Sequence, residues 1–140
     1  MSIFKCKKLH ESAQIPRHEI GDAGYDLYSV QDAAIEPHQK KLIDIGIAVE
    51  IPDNHVGFIW PRSGLSSKTG LTTDAGVIDA SYRDELKVLL VNTSDKTEVI
   101  TKGMRIAQMV IVPIYSNPPV FVDKLSETAR NGGFGSTGNV

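Results

Sequence analysis

The sequence predicts an all-β domain, an antiparallel sandwich or barrel, and three observations carry the prediction. Ile43-Asp44-Ile45-Gly46-Ile47-Ala48-Val49-Glu50-Ile51 places a β-branched residue at every odd position and a small or acidic one at every even position. That is the period of two of a strand with one buried face. Further β-rich runs follow at about 8–12 residues per strand and turn, the spacing of sandwiches and barrels. Only Leu65 to Gly70 has the makings of a short helix, which argues against alternating βαβ architecture and the nucleotide-binding folds built on it.

Taken in order, Asp26 lies in a short strand-like run, Asp22-Ala23-Gly24-Tyr25-Asp26-Leu27. The 43–51 strand follows. Pro52-Asp53-Asn54 turns the chain into a strand over Val56 to Trp60. Val77 and Ile78 begin another strand. Val88 to Asn92, Val99 to Ile100 and Met104 to Val112 are strands separated by the turns Thr93-Ser94-Asp95-Lys96 and Thr101-Lys102-Gly103. From Asn131 the character changes, with four glycines between Asn131 and Gly138. A terminal segment so poor in apolar side chains buries too little surface to order itself, and reads as a flexible arm.

Composition sets the outer limits. The chain has 140 residues, enough for one domain but with little spare material for a deep, enclosed pocket. Net charge is -2 and the sequence pI about 6.1, so neither nucleic acid nor a membrane surface is expected as a partner. One cysteine, Cys6, excludes an internal disulfide. Met1 to Leu9 carry lysines with no apolar run behind them, and no stretch approaches a membrane span, so a cytoplasmic location without a signal peptide is expected. The four histidines are dispersed, which makes a zinc site improbable, and no G-x-S-x-G elbow occurs.

Five stretches carry possible chemistry, and each has a bland reading beside the functional one. Gly133-Phe134-Gly135-Ser136-Thr137-Gly138 has the spacing G-x-G-x-x-G, but the chain ends at Val140, so no dinucleotide fold can follow it. A disordered tail is the bland reading. Backbone N–H groups, two hydroxyls and the nearby Arg130 suit a phosphate, and Phe134 is an aromatic with no core to join. Pro61-Arg62-Ser63-Gly64-Leu65 follows a strand and opens the helical turn, where Ser63 reads as an N-cap and Arg62 as a surface charge or an anion ligand. In Ala75-Gly76-Val77-Ile78-Asp79-Ala80-Ser81-Tyr82-Arg83, Asp79 is either a turn residue or a general base on rigid backbone. Asp26 either holds a metal-bound water or pairs with a surface lysine. Gln108 is the one polar side chain in Ile106-Ala107-Gln108-Met109, and singly reads as a satisfied amide.

Together, Asp22 to Ser29, Pro61 to Gly70, Gly76 to Asn92, Gly103 to Val110 and Arg130 to Gly138 resemble, in order and spacing, the five motifs of the trimeric dUTPases. The resemblance spans about Gly21 to Gly138. It implies a jelly-roll-like β-barrel over residues 1–128, a flexible arm over 129–140 that closes the site, and a homotrimer whose sites are shared between subunits. It implies Mg²⁺-dependent hydrolysis of dUTP to dUMP and pyrophosphate, which keeps dUTP out of DNA and supplies dUMP for thymidylate synthesis. By position, Asp79 is the implied general base for in-line attack of water on the α-phosphorus. Tyr82 packs on the deoxyribose and excludes a 2′-hydroxyl. A hairpin backbone at Gly76, Val77, Ile78 and Asp79 reads uracil. Arg62, Ser63 and Gly64 hold the phosphates. Asp26 and Gln108 act through waters around the triphosphate and Mg²⁺, and Lys87 contacts the nucleotide. On the arm, Phe134 stacks on uracil, while Arg130, Gly135, Ser136 and Thr137 bind at the γ-phosphate end. The assignments suit phosphoryl chemistry, which depends on positioning and charge neutralisation.

Three features depart from the family pattern. Asp84 stands where glycine is usual, Arg130 precedes Phe134 by four residues rather than five, and Thr73-Asp74 replaces the usual small or amide pair. A dCTP deaminase shares the fold, but it needs a glutamate on the strand that here reads Lys87-Val88-Leu89-Leu90-Val91. A nucleotide-sensing protein without catalysis is the rival of another class, and the intact Asp79, Arg62, Ser63 and arm argue against it.

Overall fold

The structure, a computed structural model, describes residues 3–130 and 132–133. Eleven strands and one short helix account for its regular elements. In chain order these are β1 (Lys5–Lys8), β2 (Gly24–Tyr28), β3 (Ala33–Ile35), β4 (Lys40–Asp44), β5 (Ile47–Glu50), β6 (His55–Trp60), α1 (Ser63–Lys68), β7 (Leu71–Asp74), β8 (Val77–Asp79), β9 (Lys87–Asn92), β10 (Glu98–Ile100) and β11 (Arg105–Pro113). The all-β expectation holds. All the ladders are antiparallel and fall into four sheets: β2-β11-β6-β8, β4-β9-β7, and the two-stranded β1-β5 and β10-β3. No closed barrel forms among the described residues.

The period-two run from Ile43 to Ile51 buries every odd side chain, each at most 2% exposed. It is nevertheless two strands. Gly46 adopts φ 73°, and a Cβ there would lie 2.9 Å from Val30 Cγ1, so only glycine turns this corner without strain. The chain thereby leaves β9, the partner of β4, and joins β1 as β5. Leu86 bridges the corner, accepting from the Ile45 N–H and donating to the Ile47 carbonyl. Burial therefore continues in phase while the hydrogen-bond partner changes.

One core joins the sheets, with Leu27, Ile35, Ile43, Ile59, Leu90 and Ile106 among its fully or almost fully buried side chains. Close-packed aliphatic residues of this kind fix the strand faces. Asn92, also fully buried, ends β9 with all its amide capacity used. Its Nδ2 donates to the carbonyls of Ile35 and Lys96, and its Oδ1 accepts from the Ser94 N–H and hydroxyl. That network shapes the turn expected over Thr93 to Lys96.

Among the described residues beyond β11 the chain runs without regular structure and stays exposed, with Tyr115, Val120, Phe121 and Leu125 all turned to solvent.

Candidate functional site

The Asp74–Val77 connection divides two sheets. Ala75 and Gly76 both take left-handed backbone, φ 57° and 102°, a pair of positive values that reverses the chain in two residues. The strands on either side do not pair with each other. β7 belongs to β9, and β8 to β6. The expected hairpin is therefore splayed, because each strand takes its hydrogen bonds from a different sheet. A cleft of about 370 Å³ opens there, bounded by Asp74 to Asp79, with Leu42, Ile59 and Leu89 as apolar lining and Tyr82 and Lys87 at its edge.

Gly76 seats the turn. Its carbonyl accepts from the Ile59 N–H at 2.8 Å, and a Cβ would stand 2.7 Å from the Ile59 carbonyl oxygen. With Gly76 turned toward β6, antiparallel alternation turns Ile78 the same way and leaves the backbone of Val77 and Asp79 facing the cleft. Asp74 takes part in the turn, since its carboxylate accepts from the Ala75 N–H and from Lys40. The Lys40 hydrogen bond, first among the causes, holds the Asp74 pKa below its ordinary value.

Asp79 ends β8 with an exposed side chain. Its carbonyl accepts from the Tyr82 N–H at 3.0 Å, which folds the next turn and brings the tyrosine ring back to the cleft. The Tyr82 hydroxyl donates to the Glu85 carbonyl at 2.8 Å. Lys87 pairs with Asp44, and with Glu85 at 3.2 Å. The hydrogen bond to Asp44, first among the causes, raises the Lys87 pKa, so its charge is secure but partly balanced.

A second group assembles at the far end of β6. Asp26 on β2 stands opposite Gln108 on β11, and Gln108 stands opposite Trp60. The Asp26 carboxylate, 22% exposed, is held between Arg62 (Nε at 3.3 Å) and Arg105 (Nη1 at 3.2 Å). Gln108 Nε2 donates to the Pro61 carbonyl at 3.0 Å. Gly24 leaves room for this amide, because a Cβ there would meet Gln108 Oε1 at 2.2 Å.

The helix begins two residues earlier than its sequence suggested, and Arg62 rather than Ser63 is its N-cap. The reason is that the Arg62 carbonyl already accepts the first helical bond, from the Ser66 N–H at 3.0 Å. Ser63 is thus the first helical residue, exposed, and its hydroxyl caps nothing. Arg62, Gly64, Lys68, Thr69 and Arg105 line a groove of about 430 Å³. Three cations beside one partly buried carboxylate make it a place for an anion.

The expected residues therefore form two sets. Gly76, Val77, Ile78, Asp79, Tyr82 and Lys87 share the cleft, while Arg62 and Gly64 line the groove, flanking Ser63 in the helix start, with Asp26 paired to Arg62 and Gln108 bonded to the Pro61 carbonyl. Asp79 faces Val56, four residues before Trp60 on β6, a separation of about 13 Å at ~3.3 Å per residue. Arg130 is exposed and joins neither. Phe134, Gly135, Ser136 and Thr137 lie outside the described residues. Arg105 and Lys68 were not among the expected site residues. Their only signal was positive charge inside stretches already singled out. Among the described residues no three or more His, Cys, Asp or Glu side chains converge on a metal position.

Comparison with known proteins gives one answer. The dUTPase family model matches residues 10–138. A deoxyuridine 5'-triphosphate nucleotidohydrolase of Picosynechococcus is 48% identical over 139 residues, covering 96% of this chain and 98% of the relative. One from Paramecium bursaria Chlorella virus 1 is 45% identical and covers 99% of both chains. The dUTPase of Staphylococcus bacteriophage 80alpha, solved as a mutant with dUpNHpp, superposes with a TM-score of 0.90 at 32% identity, covering 97% of this chain and 98% of that one. A mutant dUTPase from phage phi11 of S. aureus, whose structure concerns the coordination of a structural Mg(II) ion, gives 0.84 at 31% identity, covering 89% and 99%. With the motif order, the strand content and these matches in agreement over nearly its whole length, the chain belongs to the dUTPase family.

Proposed function

We propose that the chain hydrolyses dUTP by attack of water on the α-phosphorus, in line with the departing pyrophosphate, and that Asp79 is the general base. The observation that carries this is the exposed Asp79 carboxylate at the end of a strand whose backbone faces the cleft. Asp79 takes the proton as the water oxygen bonds to phosphorus. The bond from phosphorus to the bridging oxygen breaks, giving dUMP and pyrophosphate. A fixed carboxylate within reach of the attacking water is what general-base catalysis requires.

The pyrimidine lies in the cleft, where the backbone of Val77 and Asp79 pairs with it as one base edge pairs with another. Tyr82, its hydroxyl tied to Glu85, presents its ring to the sugar and leaves no room at the 2′ position. Lys87 contributes a cation at the edge of the cleft. Arg62, Ser63 and Gly64 take the phosphates, with the Ser63 hydroxyl free for the leaving group. Gln108 acts from the same groove.

The donor set fits a magnesium ion carried by the triphosphate rather than caged by protein. Asp26 has lone pairs beyond those facing Arg62 and Arg105, and would hold the ion through water, as would suit a cation that keeps most of its hydration. When bound, Mg²⁺ supplies neutralisation of phosphate charge.

The ~13 Å along β6 between Asp79 and the position opposite Gln108 supports sites shared between subunits of a homotrimer. Each site would then take its cleft from one copy and its groove from another. Arg130 and the arm at 129–140 would close over the nucleotide, Phe134 on the base and Gly135, Ser136 and Thr137 at the γ-phosphate. A jelly-roll-like barrel over 1–128 would complete the architecture. The chain would act on the cytoplasmic nucleotide pool, without nucleic-acid or membrane partners.

The test is hydrolysis of dUTP with Mg²⁺, run beside dCTP, dTTP and UTP. Selective release of pyrophosphate and dUMP from dUTP is expected. Comparable turnover of dCTP, or release of inorganic phosphate, would refute the proposal.

A further inference from the structure

Arg83 lies next to Tyr82 and outside both residue sets, and its guanidinium does three things. Nη1 donates to the Ala80 carbonyl at 2.6 Å and to the Tyr82 carbonyl at 3.1 Å. Nη2 lies 3.7 Å from Glu50 Oε1. Glu50 ends β5, and its other carboxylate oxygen accepts from Lys5 at 2.9 Å. Lys5 and Glu50 are register partners on β1 and β5. The hydrogen bond from Lys5, first among the causes, holds the Glu50 pKa below its ordinary value, with the charge of Arg83 adding to it.

The turn from Ala80 to Glu85 has few other ties. One backbone bond, Tyr82 N–H to the Asp79 carbonyl, folds it, and the next bond to another strand comes only at Leu86. A planar fork with several donors suits this place, because it spans two carbonyls and a carboxylate at once, as an ammonium cannot. We infer that Arg83 is a positioning residue that ties the turn between Asp79 and Tyr82 to the β1-β5 sheet through Glu50, and so sets the base and the sugar-facing ring relative to each other. The inference rests on the roles proposed above for Asp79 and Tyr82. It gives Arg83 no contact with substrate.

The test compares the wild-type enzyme with Arg83→Ala, Arg83→Lys, Glu50→Gln and the Arg83→Ala/Glu50→Gln double variant. Arg83→Ala is expected to lower kcat by about 10- to 100-fold, the scale of an ångström-level misplacement. It should narrow the dUTP-to-UTP preference in step, with a smaller change in KM. Arg83→Lys and Glu50→Gln should show intermediate losses, and the double variant should match Arg83→Ala, since the two residues act through one contact. Amide exchange at Tyr82 should quicken in every variant. Wild-type kcat and selectivity in Arg83→Ala, or a fall in melting temperature without a kinetic change, would overturn the inference. So would additive effects in the double variant. If Arg83→Ala does not fold, wild-type kinetics in both Arg83→Lys and Glu50→Gln would do the same. A wild-type protein inert toward dUTP refutes the functional proposal instead, and unchanged Tyr82 exchange in the variants then refutes the tether on its own.

Discussion

Asp79 and Tyr82 stand three positions apart, joined by one turn, and in the proposed mechanism they divide the work between chemistry and selection. Replacing Asp79 with asparagine keeps the size and removes the proton acceptor. Asp79→Asn is therefore expected to lower kcat by about 10²- to 10⁴-fold, with KM for dUTP little changed. Steady-state kinetics and nucleotide binding by calorimetry check it, and near-normal kcat would exclude Asp79 as the base. Tyr82→Ala opens the wall beside the sugar. The ratio of kcat/KM for dUTP over UTP should fall by about 10-fold or more, and an unchanged ratio would remove the ring from that role. Single residues also show what a sequence reveals. Asp79 is noticeable because a carboxylate is unusual in a strand. The Asp26–Arg105 pair is not, since it joins positions far apart in the chain through strand register alone. Asp84 departs from the family's glycine without consequence for the backbone, as it is not among the non-glycine residues with positive φ.

At the scale of elements, the cleft depends on a two-residue turn that sends β7 and β8 to different sheets. Gly76→Ala would combine a left-handed φ with a Cβ 2.7 Å from the Ile59 carbonyl oxygen. We expect a loss of about 1–3 kcal/mol in stability, read from urea unfolding, and a raised KM for dUTP because the edges move. Wild-type values of both would show that the turn tolerates a side chain. Long apolar strands such as β6, β9 and β11 were legible within a residue or two of their ends, because their alternation is strong. β1, β3 and β7 were not. Lys5-Cys6-Lys7-Lys8 and Leu71-Thr72-Thr73-Asp74 are short, polar edge strands, whose extended form comes from the neighbour they pair with rather than from their own pattern. The break at Gly46 escaped for the converse reason. Burial stays in phase across it, and only the change of partner marks it.

At the scale of the whole molecule, the described chain is unfinished in two ways. Its two residue sets are separated, and its tail from Ile114 exposes aliphatic and aromatic side chains, Phe121 fully. Large apolar residues in contiguous exposed chain mark an interface. Truncation after Leu125 should leave a folded assembly whose dUTP turnover falls by about 100-fold or more, since β1 to β11 remain and the arm proposed to close the site is lost. Truncation after Pro113 should also lose the assembly. Light scattering coupled to size exclusion, with turnover measured on the same fractions, distinguishes the two, and a monomeric product of the shorter deletion would make the arm structural. The sequence carried a motif order whose resemblance implies a trimer. It could not show that one copy holds the cleft and the groove apart, because that depends on where along β6 each set falls.

The two unjoined edges bordering the cleft bear on how such a protein can change over time. Amide and carbonyl groups are the same in every residue, so a base recognised by main chain has no side chain through which selection can readily alter the choice. Substitutions at Val77 or Asp79 alter packing or chemistry while leaving the same donors and acceptors in place. If the main chain reads the base as proposed, a new base preference would require the spacing of β7 and β8 to shift, and that spacing is tied to two sheets and one glycine. Selectivity of this kind is robust to mutational drift and correspondingly hard to redesign one residue at a time.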